Sequence, residues 1–299
     1  MVGLKTALFI PRLKSEFSKH SMHSHLTSGA HPTLDPELLS LWITAMGAPL
    51  RRSARHAVWA SAAPAHLVAN AHAAQHDCAS LAPQLSWADF SVLAMDMDST
   101  LINIECIDEI ADYCGKKPQV AAITEAAMRG EITDFSDSLR RRVALLKGAP
   151  LSALQAVLKE RLHLNPGAAQ LVHTAHQHGL STLLVSGGFT FFTDAMQQRL
   201  GLTHSRSNTL NHTGDVLDGT VAEPIVDAHA KRDTLLTLCD SLGVPASRAI
   251  AMGDGSNDLA MMGIAGLSVA YHAKPAVTAA ALSAIRFGGL DTAALWLDT

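Results

Sequence analysis

Residues 92–105 read VLAMDMDSTLINIE, and two acidic side chains interrupt an otherwise apolar stretch. The first four residues have the length and apolar character of a buried strand, and Asp96 and Asp98 follow them one residue apart. A turn that only had to be polar would not need two carboxylates in this arrangement before the chain becomes apolar again at Leu101. The stretch therefore predicts a buried strand with two carboxylates at its carboxyl end.

Four further apolar runs extend this pattern along the chain. They are STLLVSGG at 181–188, RAIAMGDG at 248–255, LSVAY at 267–271 and AIRFGG at 284–289. Helical periodicity fills the intervals between them, which predicts a parallel sheet covered by helices on both faces. We expect an α/β fold over residues 86–299, with a doubly wound parallel sheet.

One interval, residues 103–165, is too long for a single crossover connection. It contains four helical patterns, IECIDEIADYCG, QVAAITEAAMRG, DFSDSLRRRVALLKG and LSALQAVLKERLHL. Three of them end in glycine, which suits the left-handed conformation that often closes a helix. We predict a helical cap inserted after the first strand. A second insertion, residues 207–226, carries turn signals and predicts a β-hairpin flap.

The N-terminal part divides into a leader and a small module. Residues 35–85 show helix-like and strand-like segments in alternation, which predicts an α+β module with a linker near Pro83. Residues 1–34 are basic and rich in histidine, and they predict a flexible leader. A transit peptide is an alternative interpretation of the leader, whereas the apolar region and cleavage site of a secretory signal are missing.

Composition restricts the class of protein. The 299 residues are 48% hydrophobic and 17% charged, which is typical of a soluble globular chain long enough for two domains. A net charge of -4 without a long basic run predicts no nucleic-acid partner. No apolar stretch reaches membrane-spanning length. Four widely spaced cysteines indicate reduced thiols, so we expect a cytoplasmic protein with a small-molecule partner. The sequence leaves the oligomeric state open.

Three short polar motifs follow predicted strands. Asp96 and Asp98 end the first strand, Ser186 and Gly187 end the next, and DGSND at 254–258 ends a third. In an open parallel sheet, ligands bind beyond the carboxyl ends of the strands. We therefore expect the three motifs to meet in one crevice.

Each motif has a physical task in phosphoryl transfer, where a protein mainly positions groups and neutralises charge. Asp96 can attack phosphorus as a nucleophile. Asp98 can protonate the leaving oxygen and then deprotonate water. Ser186 and the N–H of Gly187 can donate to phosphate oxygens, and Lys231 supplies a positive charge.

The acidic motif favours Mg²⁺. Asp254, with Asn257 and Asp258 behind it, offers the hard oxygen ligands that this ion prefers. An EF-hand loop is excluded, because neither Asp96 nor Asp254 is followed by glycine at the sixth and glutamate at the twelfth position. A dinucleotide-binding loop at Gly253 is excluded as well, since Asp258 occupies the place of its third glycine.

DMDST, SGGFT, Lys231 and GDGSND together resemble the haloacid dehalogenase superfamily. The longer segments DMDSTLINIECIDEIADYCG and EAAMRGEITDFSDSLRRRVALLKG resemble its phosphoserine phosphatase branch. The resemblance implies hydrolysis of phosphoserine through an aspartyl-phosphate, as the last step of serine biosynthesis. It also implies Mg²⁺ held by Asp96, Asp254 and the carbonyl of Asp98.

The same resemblance implies how the substrate is bound. Glu105 and Arg142 would clasp the ammonium and carboxylate of phosphoserine. The other substrate-binding and supporting positions are Met128, Phe135, Ser186, Gly187, Lys231, Asn257 and Asp258. One anion and one cation suit a zwitterion, and a bidentate arginine suits a carboxylate. From the residues alone, Glu105 stays open to being an ordinary acid of a first helical turn, and Arg142 to being one of three solvated arginines.

Two alternative functions remain at this point. One keeps the chemistry but acts on another small phosphomonoester, or transfers the phosphoryl group to an alcohol. The other is a non-catalytic regulator that binds Mg²⁺ and phosphate and is controlled through the leader. The intact set of Asp96, Asp98, Lys231 and Asp254 argues against the regulator. The module at 35–85 resembles the reduced, ACT-like leader of some relatives.

Overall fold

The structure is a computed structural model that describes residues 22–83 and 85–298. The first 21 residues of the predicted leader lie outside the described residues, as do Gln84 of the predicted linker and Thr299. Among the described residues, none of the helices combines the length and the apolar character needed to cross a membrane.

The N-terminal module is an antiparallel four-stranded sheet with two helices. Its elements are β1 His23–Thr27, α1 Pro36–Met46, β2 Arg51–Arg52, β3 His56–Trp59, α2 Ala65–Ala73 and β4 Asp77–Leu81. The strand order is β2-β3-β1-β4. With the chain order β-α-β-β-α-β, this is the split βαβ arrangement.

Strand β1 corrects the predicted boundary of the leader. The sequence predicts a flexible segment through residue 34, whereas β1 pairs with both β3 and β4 inside the sheet. Leu26 is fully buried, and the flanking His25 and Thr27 are almost so. The prediction was wrong for this segment because histidine, serine and threonine hide the strand pattern, although their side chains are buried.

The module has its own hydrophobic core. Helix α1 begins at a favourable sequence, because Asp35 accepts the N–H of Leu38 at 2.8 Å and Pro36 occupies the first turn. The helix packs on β3 through Trp42 and Trp59, whose ring centroids are 5.1 Å apart. A second apolar contact joins the module to the larger domain, because Ala79 and Leu81 of β4 belong to the core of that domain.

The larger domain is built on six parallel strands in the order β12-β11-β10-β5-β6-β7. They are β5 Val92–Met95, β6 Ser181–Phe189, β7 His204–Asn208, β10 Ala249–Gly253, β11 Leu267–Tyr271 and β12 Ser283–Ile285. All four residues of β5 are buried. Leu93 and Met95 join one apolar cluster, while Val92 and Ala94 join the other. Both faces are therefore covered, and the predicted parallel sheet is confirmed.

Helices accompany this sheet and form the cap. The cap helices are α3 Cys106–Tyr113, α4 Lys117–Met128, α5 Phe135–Ala144 and α6 Leu151–Ala156, which continues into a π-helical turn at Val157–Arg161. The others are α7 Ala168–Gln177, α8 Thr190–Leu200, α9 Ala228–Ser241, α10 Leu259–Met262, α11 Pro275–Ala280 and α12 Thr292–Leu297. Short 3-10 turns lie at Trp87–Asp89, Ala246–Arg248 and Ser256–Asp258.

The two connections between cap and sheet run side by side. Ile102 and Leu164 form an antiparallel bridge. The N–H of Asn165 donates to the carbonyl of Leu101 at 2.9 Å, and its side chain donates to the carbonyl of Thr100 at 2.8 Å. The cap is therefore attached through one narrow paired segment beside β5.

A β-hairpin completes the larger domain. Strands β8 Leu210–Thr213 and β9 Val216–Val221 are antiparallel, which confirms the predicted flap. The flap also pairs with the cap, because Gly148 donates to the carbonyl of Leu217 and the N–H of Leu217 donates to Ala149, both at 2.8 Å. Cap and flap are thus joined by backbone hydrogen bonds.

A buried carboxylate fixes the module to the larger domain. Asp77 on β4 accepts the backbone N–H groups of Arg286, Phe287 and Gly288 at 2.7, 3.2 and 2.8 Å. These residues follow β12, so the module lies against the edge of the parallel sheet.

Candidate active site

Lys231 lies fully buried between two carboxylates. Its Nζ is 2.8 Å from Oδ1 of Asp96 and 2.7 Å from Oδ1 of Asp258. Asp227 caps α9 by accepting the N–H of Ala230, which places Lys231 in the first turns of that helix. Burial alone would lower the pKa of Lys231, but Asp258 and Asp96 reverse this effect and raise it. The ammonium is therefore positively charged at neutral pH.

The two carboxylates that contact Lys231 form a cluster with a third, Asp254. Asp96, Asp254 and Asp258 each place an oxygen within 4.8 Å of the others. Burial, and then repulsion from Asp96, raise the pKa of Asp254 to about 6. Because one ammonium faces three acidic groups, a hard divalent cation fits both the charge and the oxygen ligands of this cluster.

The carboxylates of the cluster have different surroundings. Asp258 binds Lys231 through Oδ1 and accepts the N–H of Gly255 through Oδ2 at 3.0 Å. Asp254 accepts the hydroxyl of Thr100 at 3.1 Å. Asp254 and Asp96 are thus the carboxylates best able to hold a metal ion, while Asp258 supports Lys231.

The turn after β5 brings Asp98 against the cap. Its Oδ2 accepts the N–H of Cys106 at 3.0 Å, and its Oδ1 is buried without a hydrogen-bond partner among the described residues. Burial, followed by Glu105 and Asp96, raises the pKa of Asp98 well above its ordinary value. A carboxyl group whose pKa is raised in this way is suited to donating a proton.

The carboxyl-terminal part of β6 forms another wall of the site. The N–H of Gly188 donates to Oγ of the buried Ser186 at 2.9 Å. Asn208 holds this part of β6 in place. Its side-chain amide donates to the carbonyl of Gly187 at 2.8 Å, and its side-chain oxygen accepts the N–H of Val226 at 2.7 Å. Sequence reasoning missed Asn208, since nothing in HSRSN sets it apart from other polar residues.

The sheet and the cap enclose a cleft of about 530 Å³. Its lining includes Asp96, Asp98, Glu105, Asp108, Phe135, Arg142, Ser186, Gly187, Asp254 and Asn257. The cap lies directly on the carboxyl-terminal part of β6: a Cβ added at Gly187 would lie 2.9 Å from Cζ of Phe135. The predicted crevice is thus closed on one side by the cap.

Arg142 is half-buried and brings an unpaired cation to this cleft. Its Nε makes one long hydrogen bond, 3.4 Å, to the carbonyl of Ser138, and its guanidinium makes no ion pair with the described residues. Burial lowers the pKa of Arg142, while Asp108 and Glu105 oppose this effect. A guanidinium in this position can bind a carboxylate bidentately.

A larger cavity, of about 870 Å³, lies between the N-terminal module and the connections of the cap. Its charged side chains are already paired, as Arg55 contacts Asp291 at 2.8 Å. His272 is likewise bound to the carbonyl of Gly288 at 2.9 Å. The smaller cleft, with an unpaired cation and clustered carboxylates, is therefore the better candidate for the active site.

Comparison with known proteins agrees with this geometry. A family model described as haloacid dehalogenase-like hydrolase matches residues 90–266. The chain belongs to the haloacid dehalogenase-like hydrolases. A phosphoserine phosphatase from a Polaromonas species is 57% identical over 213 residues, which cover 70% of this hydrolase and 90% of that protein.

Solved structures give the same assignment to the family. A probable phosphoserine phosphatase from Vibrio cholerae, in its unliganded form, has a TM-score of 0.78 and 37% identity, covering 94% of this hydrolase and 88% of that chain. A phospho-aspartyl intermediate analogue of a phosphoserine phosphatase has a TM-score of 0.65 and 32% identity, covering 70% and 99% of the two chains.

In this hydrolase, the structure brings most of the predicted site residues together. Lys231 and Asp258 lie behind the cleft, and the other predicted residues whose side chains are described line it. The side chain of Met128, at the end of α4, lies outside the described residues, so its predicted role is untested. Asp108 lines the cleft as well, although nothing in the sequence distinguishes it from the other acids of α3.

Proposed function

We propose that this hydrolase is a Mg²⁺-dependent phosphoserine phosphatase that converts O-phospho-L-serine to serine and phosphate through an aspartyl-phosphate. The observation that carries the proposal is the unpaired guanidinium of Arg142 in the same cleft as Asp96 and Asp98. A phosphate site alone would suit any phosphomonoester, whereas a cation in the cap suits a substrate that carries a carboxylate. The names of the relatives support the same substrate.

Asp96 would attack the phosphorus atom. Its Oδ1 is held by Lys231 at 2.8 Å and by the N–H of Met97 at 2.8 Å, so the orientation of the carboxylate is fixed before substrate binds. The bond between phosphorus and the serine oxygen breaks as the bond to Asp96 forms. When bound, Mg²⁺ would be held by Asp96, Asp254 and, as predicted, the carbonyl of Asp98, and would neutralise charge on the phosphate.

Asp98 would serve both half-reactions. Its raised pKa favours the protonated carboxyl group, which can give its proton to the departing serine oxygen. The resulting carboxylate then takes a proton from the water that attacks the aspartyl-phosphate. Inorganic phosphate leaves, and Asp96 and Asp98 return to their starting states.

Phosphate and amino acid would be bound by opposite walls of the cleft. Ser186, the N–H of Gly187, Lys231 and Asn257 would contact the phosphate oxygens. In the cap, Arg142 would bind the carboxylate and Glu105 the ammonium. Glu105 accepts the hydroxyl of Ser99 at 2.7 Å through Oε1, which leaves Oε2 for the ligand.

A phosphate-release assay with a panel of phosphomonoesters tests this function. With Mg²⁺ present, we expect phosphoserine to have the highest kcat/KM, above phosphothreonine, phosphoethanolamine and a sugar phosphate, and we expect a chelator to abolish turnover. Similar turnover of all four would identify a general phosphomonoesterase. No turnover of any of them would favour the non-catalytic regulator.

The proposal includes the metabolic step, the cellular compartment and the N-terminal module. Release of serine from phosphoserine would be the last step of serine biosynthesis, in the cytoplasm. We also infer that the N-terminal module is ACT-like, which its split βαβ strand order supports. A test is whether a chain that begins after the linker keeps its kcat/KM for phosphoserine.

A further inference from the structure

The pairing between β6 and β7 is interrupted where β6 reaches the cleft. It is regular up to Val185 and resumes at Phe189, which lies opposite Asn208. Residues 186–188 of β6 therefore stand opposite Ser207 alone, and we call these three residues the β6 bulge. Bulges of this kind re-aim side chains beside active sites, and they leave backbone groups without their partners in the sheet. The geometry of the bulge must then be held by other contacts.

The side chain of Asn208 supplies one such contact. Its amide donates to the carbonyl of Gly187 at 2.8 Å, and the residue is only 2% exposed, so water does not compete for the bond. Because a peptide group is planar, fixing the carbonyl of Gly187 also fixes the N–H of Gly188. That N–H donates to Oγ of Ser186 at 2.9 Å. Asn208 thus acts on the hydroxyl of Ser186 through one peptide group.

The same side chain reaches the segment that begins α9. The side-chain oxygen of Asn208 accepts the N–H of Val226 at 2.7 Å, and both residues are buried. Asp227, the next residue, caps α9 by accepting the N–H of Ala230, and Lys231 follows directly in this helix. One buried amide therefore joins the β6 bulge to the start of the helix that carries Lys231.

We infer that Asn208 is a positioning residue that sets the spacing between the hydroxyl of Ser186 and the ammonium of Lys231. The inference rests on the proposed function, because it needs a phosphoryl group bound by these two groups. Donors held in place around a transferring phosphoryl group act mainly in the transition state, and a misplacement of about 1 Å can cost roughly a hundredfold in rate. Asn208 is not one of the described residues that line the cleft, so it acts through its neighbours and not by contact with substrate.

The test compares Asn208→Leu, which removes both hydrogen bonds at similar volume, with the unaltered enzyme. We expect kcat/KM for phosphoserine to fall roughly tenfold to a hundredfold, mainly through kcat. Phosphoethanolamine should lose the same factor to within about twofold, because it carries the same phosphoryl group. The inhibition constant of inorganic phosphate, measured with Mg²⁺ present, should rise several-fold.

A double-mutant cycle shows whether Asn208 acts through Ser186. In a Ser186→Ala background, Asn208→Leu should cost much less in kcat/KM than it does in the unaltered enzyme. Asn211→Leu is the matched control, because Asn211 lies in the flap and its amide donates to the hydroxyl of Thr220 at 2.9 Å. That control should leave the kinetics of both substrates unchanged.

A second variant carries the same comparison if Asn208→Leu does not fold. Asn208→Asp keeps an oxygen for the N–H of Val226, but it has no N–H for the carbonyl of Gly187. We expect it to lose kcat/KM by similar factors for the two substrates. Thermal unfolding of each variant shows that these losses are measured on folded protein.

Three results would overturn the inference. Unchanged kinetics of the folded variants would mean that the β6 bulge keeps its geometry without the amide. A loss confined to phosphoserine would mean that Asn208 acts through the cap, to which the flap is joined. Losses of Asn208→Leu and Ser186→Ala that simply add would mean a general effect on the domain. Failure of the proposed function is read separately, from the unaltered enzyme, as absence of phosphate release from phosphoserine.

Discussion

The carboxylate of Asp98 accepts a hydrogen bond from the backbone N–H of Cys106, with Oδ2 and N 3.0 Å apart. Cys106 is the first residue of α3, so the proposed general acid is bound to the cap as well as to the sheet. This hydrogen bond favours the ionised carboxylate, but burial has the larger effect and keeps the pKa of Asp98 raised. The pKa of Asp98 therefore depends on the position of the cap over this turn.

Asp98→Asn should slow phosphoserine much more than an aryl phosphate. A serine alkoxide needs a proton as it leaves, whereas a phenolate leaves with little assistance, and asparagine has no proton to give. Single-turnover phosphorylation of the enzyme measures this first step for both substrates. Equal losses for the two would show that Asp98 has a different role.

Asp96→Asn should abolish turnover and leave the fold intact, because it removes the attacking charge and little volume. A mixture of Mg²⁺ and beryllofluoride, which mimics the aspartyl-phosphate, should raise the unfolding temperature of the unaltered enzyme and not that of the variant. Activity of Asp96→Asn equal to that of the unaltered enzyme would exclude an aspartyl-phosphate on this residue.

Lys231→Met should destabilise the larger domain strongly. The substitution keeps most of the volume but leaves Asp96 and Asp258 buried without their cation, which typically costs about 3–5 kcal/mol. Thermal unfolding measures the effect. Arg140→Met is the control, because the pair between Arg140 and Glu223 is exposed and its loss should change the unfolding temperature little. Equal shifts for the two variants would contradict this account.

The sheet could be predicted largely because its central strands are apolar on both faces. Strand β7 was missed for the opposite reason, since HSRSN is polar and lies at the edge of the sheet, where only one neighbour covers it. Strand β1 was missed because burial of histidine and serine depends on partners from β3 and β4. Pairing across the sheet supplies this information, and a local pattern does not contain it.

The residues of the candidate site likewise divide into those that the sequence could predict and those that it could not. Asp96, Ser186 and Asp254 could be placed together because each lies at or just beyond a strand of one parallel sheet. Asn208 and Asp108 could not be assigned to the site from the sequence, because their positions depend on groups that are far away in sequence. Asn208 binds the carbonyl of Gly187, and Asp108 lines the cleft.

The N-terminal module should lose stability in mild acid. Burial lowers the pKa of His25 to about 3 and that of His56 to about 4, and the two rings are bonded at 3.0 Å between Nδ1 and Nε2. His23 and Arg51 add repulsion for a charged His25. In the unfolded chain both rings take up protons near pH 6.5, whereas the folded module binds none until far lower pH.

The sign and the size of the effect follow from that difference. Above pH 6.5 neither state binds these protons, so stability is constant. Between pH 6.5 and about 4 the unfolded state binds more, and the loss by pH 5 is on the order of 2 kcal/mol for each histidine. Hydrogen exchange of β1 and β3, corrected for intrinsic rates, measures it. Replacing both histidines with glutamine should flatten the pH dependence; an unchanged profile would assign it to other groups.

Gly187→Ala should impair activity through one contact with the cap. The new Cβ would lie 2.9 Å from Cζ of Phe135, the tip of a ring on the first residue of α5, while the N–H that we propose to bind phosphate is retained. We expect a loss in kcat/KM of roughly tenfold. The double variant with Phe135→Leu, which lacks the ring tip, should recover much of the loss relative to Gly187→Ala alone.

Gly188→Ala is the control, because its Cβ would approach Met97, Ser186 and Asp98 instead, so Phe135→Leu should not rescue it. Losses in kcat/KM that simply add for Gly187→Ala and Phe135→Leu would mean that the ring of Phe135 does not contact Gly187 during turnover.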